Sequence, residues 1–102
     1  MTKNFLAMLL AFTATPVLAE PITVTSTVQI ADLDLSSAKG QRALDSRLVR
    51  AVKDVCGSAS DVDVAGKNEV RRCRSETLAA LATERDQRIA RASGEPIEVA
   101  AR

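Results

Sequence analysis

The sequence predicts an α+β fold: one N-terminal β-strand packed on a two-helix hairpin stapled by a disulfide, with length left over for a short C-terminal strand. Three observations carry this. Apolar and polar residues alternate from Pro21 to Ile30, two later stretches place apolar residues at helical spacing, and two cysteines fall where those helices would meet.

A leader stands ahead of the fold. Lys3 supplies one positive charge, and Phe5 to Phe12 is an uninterrupted apolar run. Thr13-Ala-Thr-Pro16 breaks it, and Val17 and Ala19 put small side chains at the minus-three and minus-one positions. This is the pattern of a secretory signal over residues 1–19, cleaved between Ala19 and Glu20. The run is far shorter than the ~20 residues a bilayer span needs, so an anchor is not expected.

Residues 20–102 then form a single domain with its core at about 22–92. Both Phe and both Met belong to the leader, so this part holds no aromatic side chain, no Met and no His. Lys3 is the one charge lost with the leader, leaving 13 basic against 13 acidic residues. A neutral chain has no field that draws it to nucleic acid or an anionic membrane, and no stacking platform for bases. Neither partner is expected once the leader is removed, and no cofactor is implied. The core must be aliphatic in a domain near the lower size limit for independent stability, where a covalent staple helps. Export leads to an oxidising compartment, where an even number of cysteines is normally paired, so Cys56 and Cys73 are expected as a disulfide. Closing a loop of that size contributes on the order of 3 kcal/mol when the native geometry is unstrained.

The elements follow in order. Ile22, Val24, Val28 and Ile30 fall on one face of the strand and Thr23, Thr25, Thr27 and Gln29 on the other, a β-branched alternation suited to a half-buried strand. Ala31-Asp-Leu-Asp-Leu-Ser-Ser37 shifts the parity to Leu33 and Leu35, so the strand ends there in a turn, with Ser36 or Ser37 placed to cap a helix. The first helix runs from about Ser37 to Cys56. Leu44, Leu48, Ala51, Val52 and Val55 share a face, while Arg42, Ser46, Arg50 and Lys53 lie away from it. Gly57 stops the helix, and Gly40 in its first turn has no reason visible in the sequence. Ser58 to Gly66 reads as a loop. A second helix spans roughly Lys67 to Ala92, with an apolar stripe of Val70, Leu78, Leu81, Ile89 and Ala92 into which Arg74, Arg85 and Arg88 intrude. That poorer stripe predicts C-terminal turns that fray or await a partner. Ile97 and Val99 offer the short last strand.

The export signal, the strand, Asp32-Leu-Asp-Leu-Ser36, Gly40, the amphipathic helix ending Val55-Cys-Gly57 and the second cysteine opening another helix together resemble the UrcA family of small exported bacterial proteins. The resemblance spans about residues 22–90. It implies export, a cysteine pair and no established biochemical activity, and it transfers no catalytic residues.

Sharper chemistry has few footholds. Arg71-Arg-Cys-Arg74 surrounds a cysteine with positive charge, which favours a thiolate, yet with one available partner a structural half-cystine is the plainer reading. Cys56 and Cys73 also lack Cys-x-x-Cys spacing. Asp32-x-Asp34 and Asp61-x-Asp63 lack the flanking ligands and glycine of a calcium loop and suit turns and caps, so metal binding is not expected. Zinc has too few ligands, and Ser-His-Asp catalysis is excluded in a domain with no His. Glu84 with Arg88, and Arg72 with Glu76, suit solvated i,i+4 pairs. Two function classes remain. One is a non-enzymatic envelope protein that binds another protein or itself along the edge of strand 22–30 or through the imperfect second helix, and the alternative is a small periplasmic thiol-dependent enzyme or redox protein using Cys73.

Overall fold

The structure, a computed structural model, describes Pro16 and residues 24–101. Pro16 apart, the leader expected over residues 1–19 lies outside the described residues, as do the Ala19–Glu20 cleavage site and Ile22 and Thr23 of the expected strand. The described elements are β1 (Thr25–Val28), α1 (Ala38–Cys56), α2 (Val64–Arg91) and β2 (Ile97–Ala100). The architecture is the α+β arrangement expected, with the C-terminal strand formed and paired antiparallel to β1.

The period of two sets the register. Thr25 stands opposite Ala100, and Val28 opposite Ile97. Val28, Ile97 and Val99 therefore face inward and are buried together with Ile30, while Thr25, Thr27 and Glu98 face solvent. Beneath the inward face lie Leu44, Leu48, Ala51, Val52 and Val55 of α1 and Leu81 of α2, an all-aliphatic core. The helix α1 packs against both strands, whereas α2 reaches only β2 and α1.

The strand is shorter than the 22–30 alternation suggests. Val24 has the inward parity but is 52 % exposed, because the ladder stops at Thr25. Beyond Val28 the chain turns, with the Leu33 N–H donating to the Ile30 carbonyl at 3.1 Å. Leu35 is buried in the following turn, so the parity shift seen in the sequence marks a real change of direction.

Ser37 is the cap of α1: its hydroxyl accepts from the Gly40 N–H at 3.0 Å. Gly40 is buried against the turn that precedes the helix, and a Cβ there would collide with the Asp34 carbonyl. That close approach is the reason for glycine that the sequence alone does not supply. At the other end Gly57 takes φ 69° and ψ -159°, a positive-φ conformation that glycine adopts freely, and its N–H donates to the Lys53 carbonyl at 3.0 Å.

The second helix differs from expectation in three respects. It begins at Val64 rather than Lys67, because the Asp63 carboxylate accepts from the Gly66 N–H at 2.8 Å and caps the helix there. Gly66, expected to close the loop, sits in the first turn. The expected stripe is also only partly covered: Leu81 is buried and Val70 and Ile89 are half-buried, but Leu78 and Ala92 are exposed. Finally, the last turns are formed and held. Ala92 adopts φ 47° and donates to Ile89, while Arg88 donates to the Glu95 and Pro96 carbonyls at 3.2 and 3.4 Å. The intruding arginines tie α2 to its surroundings. Arg85 grips the Asp45 carboxylate of α1 with two nitrogens, and Arg74 donates to the Gly57 carbonyl at 3.1 Å. Arg88 also pairs with Glu84 at 3.1 Å, as its spacing predicts, whereas Arg72 turns to Glu69 rather than Glu76.

Candidate functional site

Two places carry the residues singled out by the sequence. The first is the loop end of the helical hairpin. Cys56 and Cys73 are bonded, with their Cα atoms 5.7 Å apart, and no described cysteine is free. The buried Thr77 hydroxyl lies 3.8 Å from the Cys56 sulfur and 4.0 Å from that of Cys73. Arg74 is turned onto the end of α1 and Arg72 toward Glu69, so neither directs its charge at the sulfur pair. The bond fixes the C-terminus of α1 against the third turn of α2, the hairpin staple expected.

The loop aspartates have separate partners. Asp61 pairs with Lys67 at 3.2 Å, and Asp63 caps α2. Asp34 accepts from the Ser36 hydroxyl and N–H, which lower its pKa. Asp32 meets both terminal nitrogens of Arg47 at 2.7 Å. Hydrogen bonding to that guanidinium, helped by a backbone N–H, holds the Asp32 carboxyl down at about 2. Among the described residues no three potential ligands assemble into a metal-sized cluster, and no helix is long and apolar enough to cross a membrane.

The second place is the outer edge of β1. Among the described residues β1 pairs with β2 along one edge only, so alternate residues turn their N–H and C=O groups away from the ladder. Alongside that edge runs a groove of about 410 Å³, lined by Ser26, Thr27 and Gln29 of the strand side and Arg47, Arg50 and Asp54 of α1. Helix periodicity places these α1 residues there: 47, 50 and 54 recur at three and four, one stripe beside the buried Leu48–Ala51–Val55 face. Arg47 closes one end, donating to the Gln29 carbonyl at 2.6 Å as well as to Asp32. Arg50 and Asp54 are exposed, and neither has an ion-pair partner among the described residues. The strand (Thr25–Val28) and Gln29 after it carry no charge and no proline to discourage pairing.

The alternation made this edge legible in the sequence, since one strand with a single candidate partner must keep an edge. The α1 rim of the groove was not legible: Arg50 reads only as a residue away from the apolar face, nothing in the sequence singles out Arg47, and their place beside the strand is a tertiary outcome. Compared with protein-family models, curated proteins and solved structures, the chain has no match in any of the three.

Proposed function

We propose that this chain is the precursor of a small exported, non-enzymatic protein of the UrcA type, a periplasmic or secreted module that works by binding protein along the outer edge of β1. The observation that carries the reading is that edge: uncharged, proline-free, and unpaired by any described strand. Strand addition satisfies such backbone groups, and the groove beside it supplies room for alternate side chains of an incoming strand. Export is supported by the leader pattern of residues 1–19, and the disulfide is compatible with an oxidising destination. The alternative of a thiol enzyme at Cys73 loses ground because that sulfur is bonded to Cys56.

Two measurements test the proposal. The mass of the exported protein is expected to correspond to a chain starting at Glu20, and material retaining Met1 would overturn the export reading. A photo-reactive residue at Thr27, on the exposed β1 edge, is expected to give discrete protein adducts in the envelope, while one at Val62 in the interhelix loop does not. Absence of adducts at Thr27 would remove β1 as the binding element.

A further inference from the structure

We infer that the occupant of the β1 edge is a second copy of this chain: two copies join edge to edge about a two-fold axis, and Arg50 of each pairs with Asp54 of the other. The inference rests on the interaction reading above and commits it to one partner.

The edge is suited to its own copy in several independent ways. A strand pairing with itself about a two-fold axis is antiparallel by symmetry, so the same patch serves both sides. Continuity of the core face then fixes the parity. Inward residues of one β1 must oppose inward residues of the other, because a slip by one residue would turn the second copy's helices to the solvent side. Setting Ser26 opposite its own copy meets this condition. It also brings the exposed Val24 against the second copy's Val28, covering the one apolar residue at the strand's start that the single chain leaves at 52 % exposure.

The spacing of layers permits the same arrangement below the sheet. Paired strands lie about 4.8 Å apart, so two strands occupy roughly the 8–10 Å that one packed helix needs. Because α1 lies under both β1 and β2, each copy's α1 sits beneath its own strand pair, and the two α1 helices become neighbours across the axis.

Charge supplies the argument for a copy rather than another protein. The Gln29 end of the groove is the Arg47 end, so α1 runs antiparallel to β1, with Arg50 and then Asp54 following toward the start of the strand. A two-fold axis reverses that order in the second copy. Arg50 therefore faces the second copy's Asp54, and the reverse, giving two equivalent ion pairs from two groups that have no ion-pair partner among the described residues of one chain. Any other partner would have to present the opposite charge pattern at the same spacing, whereas the copy presents it by symmetry.

The test is charge exchange read by sedimentation of the purified protein over a range of concentrations. Arg50→Asp and Asp54→Arg are each expected to weaken self-association about tenfold, since two attractive pairs become two repulsive ones. Circular dichroism should show that both variants keep the wild-type helical signal, because both positions are exposed. An equimolar mixture of the two variants should regain wild-type association, because every contact in the mixed dimer is again between opposite charges. The double exchange should do the same. A mixture that associates no better than its components would overturn the inference, as would a wild-type protein that stays monomeric at the highest concentration. A monomeric wild type whose Thr27 adducts contain a different protein would leave the binding edge standing and remove the second copy. An absence of any Thr27 adduct would remove both.

Discussion

Gly40 shows how a contact across the chain can reverse a local preference. Alanine is the better helix former by about 1 kcal/mol, so propensity alone predicts that Gly40→Ala stabilises α1. The position is instead buried against the Asp34 carbonyl, which also accepts from the N–H and hydroxyl of Ser37 at 3.2 and 2.9 Å. A methyl group cannot enter without displacing that backbone turn, and such overpacking costs roughly 1–3 kcal/mol. The thermal midpoint of Gly40→Ala should therefore fall by several degrees, and a midpoint at or above wild type would contradict the packing account. The cap at Ser37 and the stop at Gly57 were legible in the sequence because their causes lie within four residues. The cause at Gly40 lies in a turn brought back onto the helix, which no helical periodicity reports. Asp32 gives a second prediction at this scale. Its carboxyl is held at about 2 in the folded chain, below its ordinary value of 3.8, chiefly by Arg47. A depressed acid pKa contributes stability that is fully present above about pH 4 and is lost as the pH falls toward 2, and Asp34 acts in the same direction. Denaturant midpoints measured between pH 5 and 2 should decline more for wild type than for Asp32→Asn, and parallel declines would contradict the role given to Arg47.

Among the elements, α2 owes its position to groups that its own pattern does not advertise. Few of its residues are buried, yet it is anchored by the disulfide in its third turn, by the Arg85–Asp45 pair within its last two turns and by Arg88 on the Glu95 and Pro96 carbonyls at its end. The arginines looked like flaws in an apolar stripe because their acceptors are remote in sequence, Asp45 lying 40 residues from Arg85. The early start of α2 was more nearly legible: Asp63 is a standard capping residue, and Gly66 concealed it by looking like a breaker. The staple carries the element-scale prediction. Cys56→Ser should free Cys73 to thiol reagents and lower the thermal midpoint by several degrees, because opening the cross-link removes on the order of 3 kcal/mol. Identical melting of the bonded and reduced proteins would mean that the arginine contacts alone hold the hairpin.

For the molecule as a whole, alternation and helical spacing were enough to predict a strand and a helical hairpin and to leave room for a last strand, and the cysteine pair predicted the staple, since one-sided burial of each element leaves few ways to close an aliphatic core. What they could not predict was which side of β1 would stay open. That depended on β2 taking one edge and on α1 lying under both strands, a tertiary outcome that also turned Arg50 and Asp54 from surface charges into the rim of a groove. On the inference drawn above, the outer edge of β1 is where this protein meets the same edge of a second copy of itself. Hydrogen exchange of the Thr25–Gln29 amides, followed in the purified protein from dilute to concentrated solution, tests it most directly. Amides facing away from β2 should exchange progressively more slowly as concentration rises, while those already bonded to β2 stay unchanged. Outward amides that exchange at one rate across the whole range would contradict it.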